Sequence, residues 1–156
     1  MRHLTRSTLV LVAAVAAVAA VGAATAGASE RIPGIAITFE KHVVDPQNVV
    51  FQGSTDGAVR GSLESRLVPG SLTIVGDLWT FEFDWTITAD VPAKSCTMHA
   101  SGTMIGANAG SPVEMDGVVT SGWHAGARLH MEGTLVDPNT FTIAGTLTIQ
   151  PGSSAS

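Results

Sequence analysis

From Trp79 to Ala89 the chain alternates without a break: Trp79, Phe81, Phe83, Trp85 and Ile87 on one set of positions, and Thr80, Glu82, Asp84, Thr86 and Thr88 on the other. A helix would scatter these aromatics around its circumference, whereas a strand lines them along one side. The segment therefore predicts a long strand with a dry face and a wet face.

The same period of two recurs along the chain. Ile35, Ile37 and Phe39 alternate with Thr38, Glu40 and His42, and Val59, Leu63 and Leu67 with Arg60, Glu64 and Arg66. Cys96, Met98 and Ala100 oppose Thr97, His99 and Ser101, and Val113, Met115 and Val119 oppose Glu114, Asp116 and Thr120. Leu129, Met131 and Leu135 face away from Arg128, His130, Glu132 and Thr134, and a last run carries Phe141, Ile143, Leu147 and Ile149 against Thr142, Thr146 and Thr148.

Breakers separate the runs: Asp45-Pro46-Gln47-Asn48, Asp56-Gly57, Pro69-Gly70, Asn108-Ala109-Gly110 and Asp137-Pro138-Asn139. Pro presets the first turn dihedral, and Gly and Asn tolerate positive φ. Val44-Asp45-Pro46 with Gly53 is echoed by Val136-Asp137-Pro138 with Gly145, a match that shared turn chemistry explains. The reading is an all-β fold, a single antiparallel β-barrel of about eight strands, with no major helix after the N-terminal segment. Glycines inside the strand patterns (Gly61, Gly102, Gly117, Gly133, Gly145) favour the bends of a barrel over a flat sheet.

With no helix to cover an apolar exterior, such a barrel turns its polar face to water. Trp79, Phe81, Phe83 and Trp85 then point inward with Met98, Met115, Leu129, Met131 and Phe141. A barrel of eight strands is either filled by such side chains or holds one small ligand. Inverting it would put Glu82, Asp84, His99, Glu114, Asp116, Arg128, His130 and Glu132 in the lumen, burying many charges with few basic partners.

Met1 to Ala28 reads as a secretory signal peptide. Arg2 and Arg6 precede an apolar run from Leu9 to Val21, and small-residue cleavage sites follow at Ala24-Thr25-Ala26 and Ala26-Gly27-Ala28. The expected division is a signal at 1–28 and a barrel domain at 29–156, secreted or periplasmic, with no membrane attachment once the signal is removed. Lys and Arg number 8 against 13 Asp and Glu, and no basic stripe points to nucleic acid. The single cysteine, Cys96, forms no intrachain disulfide and reads as a buried thiol.

Catalytic chemistry finds little support in the pattern. His42, His99, His124 and His130 show no HExxH or HxH spacing, so no metal and no cofactor is expected. There is no GxSxG nucleophile turn and no phosphate-cradling glycine loop. Glu82, Asp84, Glu114 and Asp116 are candidates for a carboxylate pair, but their separation is not legible from sequence. The loop Ser121-Gly122-Trp123-His124-Ala125-Gly126 reads either as an ordinary glycine-rich hairpin connection or as a barrel mouth gated by Trp123 and His124.

Val118 to Ala127, Gly133 to Pro138 and Ala144 to Leu147 together resemble a group of short, exported bacterial β proteins of unknown activity. More distantly, the G-x-x-x-G-A spacing from Gly122 to Ala127 is similar to the small closed barrels of allene oxide cyclase and dirigent proteins. That resemblance implies a lumen that binds an apolar substrate and steers its ring closure without a cofactor. It carries no catalytic residue across, and the aromatic set offers no obvious inward carboxylate or lysine. The expected role is binding of a small apolar molecule by Trp79, Phe81, Phe83, Trp85, Met98 and Met115, with Trp123 and His124 at the mouth. A cofactor-free cyclase or isomerase and a structural protein with a filled barrel are the alternatives, and oligomeric state is left open.

Overall fold

The alternating runs become strands. The structure, a computed structural model, describes residues 33–152. The expected signal at 1–28 lies outside the described residues. Nine strands follow in chain order: β1 (Ile35–Asp45), β2 (Val50–Gly57), β3 (Gly61–Leu67), β4 (Thr73–Val75), β5 (Leu78–Ala89), β6 (Cys96–Ile105), β7 (Pro112–Gly122), β8 (Arg128–Asp137) and β9 (Thr142–Gln150).

Every pairing is antiparallel, and two contacts close the sheet on itself: β1 with β9, and β3 with β5. The result is a closed barrel of eight strands with β4 as a short extra. β3 pairs with β5 from Phe83 to Ala89, while β4 occupies the remaining edge of β5 from Leu78 to Thr80.

The dry face points inward. Phe81, Phe83, Trp85, Ile87 and Ala89 are buried, while Glu82, Asp84, Thr86 and Thr88 on the same strand are exposed. The polar set that an inverted barrel would have buried lies outside: Glu82, Asp84, Glu114, Asp116, Arg128 and Glu132 are exposed, and His99 and His130 are half-buried on the outer surface. Desolvation explains the choice, since that arrangement keeps each of these charges in contact with water. Cys96 is buried, and burial pushes its thiol pKa up.

The barrel is tightly coiled where glycine faces in. Gly53 occupies an inward position of β2 opposite Lys41, and a Cβ there would lie 2.7 Å from Lys41 Cα and collide with the Glu40 carbonyl. Gly145, its counterpart on β9, meets the backbone of Glu132 and Gly133 in the same way. These close approaches are what bends in a narrow barrel require.

Antiparallel connection sorts the loops into two ends. The β1–β2, β6–β7 and β8–β9 turns share one end with the segment joining β3 to β4. The β2–β3, β5–β6 and β7–β8 connections share the other, which backbone bonds tie together: Asp90 N–H donates to Arg60 O (2.9 Å) and Trp123 N–H to Ser95 O (3.0 Å). Lys94 Nζ also donates there to the Ala58 carbonyl at 3.0 Å. β2 and β4 carry no alternating signal in the sequence, because Phe51 is followed inward by Gly53 and Thr55, and β4 is exposed throughout.

Candidate functional site

Trp85 divides the interior. On its lower side, Trp85, Met98, Ala100, Leu129, Met131 and Leu147 pack with no room for a water molecule. On its upper side the lumen opens into a cavity of about 440 Å³. Trp79, Phe81 and Phe83 form one wall, and Phe51, Met104, Val113, Met115 and Ile143 complete it. A filled lower half and a hollow upper half therefore coexist in one barrel.

The rim of the cavity is built by the two echoed turns. In each, an aspartate accepts backbone N–H groups from the turn that follows: Asp45 from Gln47 (3.0 Å) and Asn48 (3.2 Å), Asp137 from Asn139 (2.9 Å). These bonds hold both carboxyls below their ordinary pKa range, led by the Asn48 side-chain bond for Asp45 and the Asn139 backbone bond for Asp137. Each turn then ends on a bulky residue with positive φ, Val49 at 49° and Phe141 at 50°. Backbone of this kind is costly for a β-branched or aromatic residue. Val49 and Phe141 both line the cavity, so the strained positions lie at its entrance.

Among the described residues, one charged side chain lines this apolar space. Lys41 continues the inward set Ile37 and Phe39 on β1, and it is only 1% exposed. Its inward partner on β2 is Gly53, which leaves the wall bare beside it. The Lys41 side chain reaches β3, where Nζ donates to Ser65 Oγ at 2.9 Å. Three aromatic rings surround the nitrogen, with centroids at 3.7 Å (Trp85), 4.7 Å (Phe51) and 4.9 Å (Phe83).

Two forces act on the Lys41 proton. The ring faces favour the cation, whereas removal from water disfavours it. Burial dominates, because among the described residues no carboxylate lines the cavity, and it pushes the Lys41 pKa well below the ordinary lysine value. Ser65 is itself fully buried and makes no ion pair, so it tethers the amine without neutralising it. The indole beneath holds a second polar atom: Trp85 Nε1–H is buried without an acceptor.

Of the residues expected to form a site, Trp79, Phe81, Phe83 and Met115 line the cavity. Trp85 lies under the Lys41 amine, and Met98 packs below it in the filled half. Trp123 and His124 require a correction. Their rings pack against each other at a tilt (4.3 Å between centroids, 59° between planes) in the β7–β8 connection, at the end away from the cavity. The mouth lies instead between Pro46, Leu72 and Pro138–Phe141, because the connections at the Trp123 end are drawn together by backbone bonds.

Sequence reasoning passed over Lys41 and Ser65. Continuing the β1 alternation past Phe39 does place Lys41 inward, but a charged side chain does not join an inward set read from hydrophobicity alone. Ser65 sits at the inward position between Leu63 and Leu67, and a serine carries no apolar signal to mark it.

The outer histidines form a separate arrangement. His99 Nδ1 lies 2.9 Å from Asp84 Oδ1, and His130 lies 2.7 Å from Asp116 and 3.2 Å from Glu132. Among the described residues no group of three such side chains is disposed to hold a metal ion. His99–Asp84 and His130–Asp116 are cross-strand pairs, and His130–Glu132 lies along β8, all on an open surface.

No protein-family model matches the chain, and neither the curated proteins nor the solved structures give a match.

Proposed function

We propose that the protein binds a small, mostly apolar molecule in the upper half of its barrel. The observation that carries this reading is the cavity of about 440 Å³, walled by aromatic and methionine side chains and provided with one polar anchor, Lys41. That size and lining are typical of ligand sites, which combine an apolar wall with few placed polar groups. Burial of ligand surface supplies the driving force at about 25 cal/mol per Å², before the costs of association. Lys41 and Ser65 would fix the orientation of a polar end.

A cofactor-free isomerase or cyclase in the same lumen is the second reading. The Lys41 amine favours it, since burial shifts that amine toward its uncharged form, which is a base. Conversion of the bound molecule without added metal or nucleotide would separate this reading from simple binding.

The test is native mass spectrometry of the purified protein, with tryptophan emission followed before and after organic extraction and during titration with decanol. A co-purifying small molecule, or a saturable decanol-induced change in emission, supports the reading. A bare mass with emission indifferent to both treatments overturns it and leaves a structural barrel.

A further inference from the structure

We propose that Lys41 captures its ligand covalently, as a Schiff base, and that the ligand is therefore an apolar aldehyde or ketone. The inference rests on the cavity being a ligand site and adds the chemistry of the ligand's polar end.

Five features of the cavity point this way. The amine lies at the base of a space large enough for a small molecule, and among the described residues no other charged side chain lines that space. An apolar acid would bring a counter-charge, but the other polar side chains of the lining, Asn139 and Thr140, are at the rim and donate to Asp137. A carbonyl compound needs only that nitrogen, in its neutral form. Desolvation provides that form by favouring the free base, as in other nucleophilic lysines of dry pockets.

The three ring faces at 3.7, 4.7 and 4.9 Å serve the product. The imine formed is neutral; when its nitrogen takes up a proton from entering water, for hydrolysis or reduction, the ring faces partly offset the cost of that charge without a carboxylate. Ser65 Oγ, at 2.9 Å, is the one hydroxyl bonded to the amine.

The chemistry balances without a redox partner. The Nζ lone pair attacks the carbonyl carbon, a C–N bond forms, and the C=O π pair moves to oxygen. A proton passes from nitrogen to that oxygen, with the Ser65 hydroxyl accepting one and donating another. The carbinolamine then loses its hydroxyl with a second proton as water, and the C=N bond forms. Aldehyde and amine enter, imine and one water leave, and hydrolysis reverses the sequence. No carboxylate lines the cavity to abstract an α-proton, so the arrangement is built for capture and release.

The chain holds only two lysines, Lys41 and Lys94, which makes the test clean. The full-length protein is incubated at neutral pH with decanal and sodium cyanoborohydride, and the products are read by intact mass and peptide mapping. One decyl group per chain is expected on Lys41, formed at least tenfold faster than any on Lys94 or the N-terminal amine. Lys94→Arg should keep that adduct, Lys41→Met should lose it, and Ser65→Ala should slow it several-fold. Labelling of Lys94 or the N-terminus as fast as Lys41 overturns the proposal, and this comparison needs no variant to fold.

Titrations with decanol and decanoate on the same preparation separate the two levels of the argument. Saturable decanol binding without a Lys41 adduct leaves the cavity as a ligand site and removes the covalent step. Decanoate binding tighter than decanol, again without an adduct, assigns Lys41 to an anion and also overturns the proposal. Failure of decanol, decanoate and decanal together removes the ligand site itself.

Discussion

Lys41 Nζ sits 3.7 Å from the centre of the Trp85 indole ring, at the level where the barrel changes from packed to hollow. Below that ring the side chains interlock. Above it the lumen contains the cavity and its one amine. A lysine so placed opposes folding, since the unfolded chain hydrates the ammonium fully and the barrel does not.

Replacing Lys41 by Met should therefore stabilise the protein at neutral pH, by roughly 1–3 kcal/mol, the range for relieving an ill-compensated buried polar group. The folded pKa is lowered, so between that value and 10.5 the unfolded chain binds the extra proton. Wild-type stability rises with pH across this window and the penalty disappears above it. Urea unfolding from pH 7 to 10.5 should show the gap between Lys41→Met and wild type closing as pH rises; a constant gap would mean that the amine is equally charged in both states.

Val113 lines the cavity and is almost wholly buried. Val113→Phe should project a ring into the empty volume, abolish decanol binding and raise stability by about 0.5–2 kcal/mol, the usual gain from filling a cavity. Asp77→Asn, on the exposed β4–β5 turn, should leave affinity untouched. Fluorescence titration of the two variants decides, and undiminished binding in Val113→Phe would place the ligand elsewhere.

On the outer surface the Asp116 carboxylate, with a smaller contribution from Glu132, raises the His130 pKa above its ordinary 6.5. A raised folded value gives stability that is fully present below pH 6.5 and lost as pH rises through the folded pKa. The ring is 41% exposed, so solvent screening limits the effect to about 0.5 kcal/mol. Thermal unfolding of His130→Gln should fall below wild type at pH 5.5–6 and converge with it above neutrality, on the order of this small shift.

Gly53 tests the close approach of β1 and β2. A Cβ at this position meets Lys41 Cα at 2.7 Å and the Glu40 carbonyl, both backbone atoms that cannot rotate away. Gly53→Ala should cost about 2 kcal/mol or more, within the range for strained backbone substitutions, whereas Gly70→Ala, with nothing within 4 Å, should be governed only by its positive φ of 80°. Circular dichroism melts of the pair would reveal whether strand approach or local dihedral preference is the stronger constraint.

Alternation along the chain determined the all-β class and the inward face of most strands. Burial of Phe81, Phe83 and Trp85 against exposed Glu82 and Asp84 follows from a period of two and the cost of desolvating carboxylates, both local properties of the sequence. The turn chemistry of Asp45-Pro46 and Asp137-Pro138 was equally legible, since each aspartate bonds within its own turn.

Tertiary structure alone decided where the hollow lies and what faces it. Trp79 and Trp85 belong to one alternating set, yet one lines the cavity and the other closes its base, because their depth depends on strands drawn from across the chain. Ser65 meets Lys41 across 24 positions of sequence, and the three rings around the amine come from β2 and β5. Strand register sets those distances, and register is a property of the closed sheet as a whole.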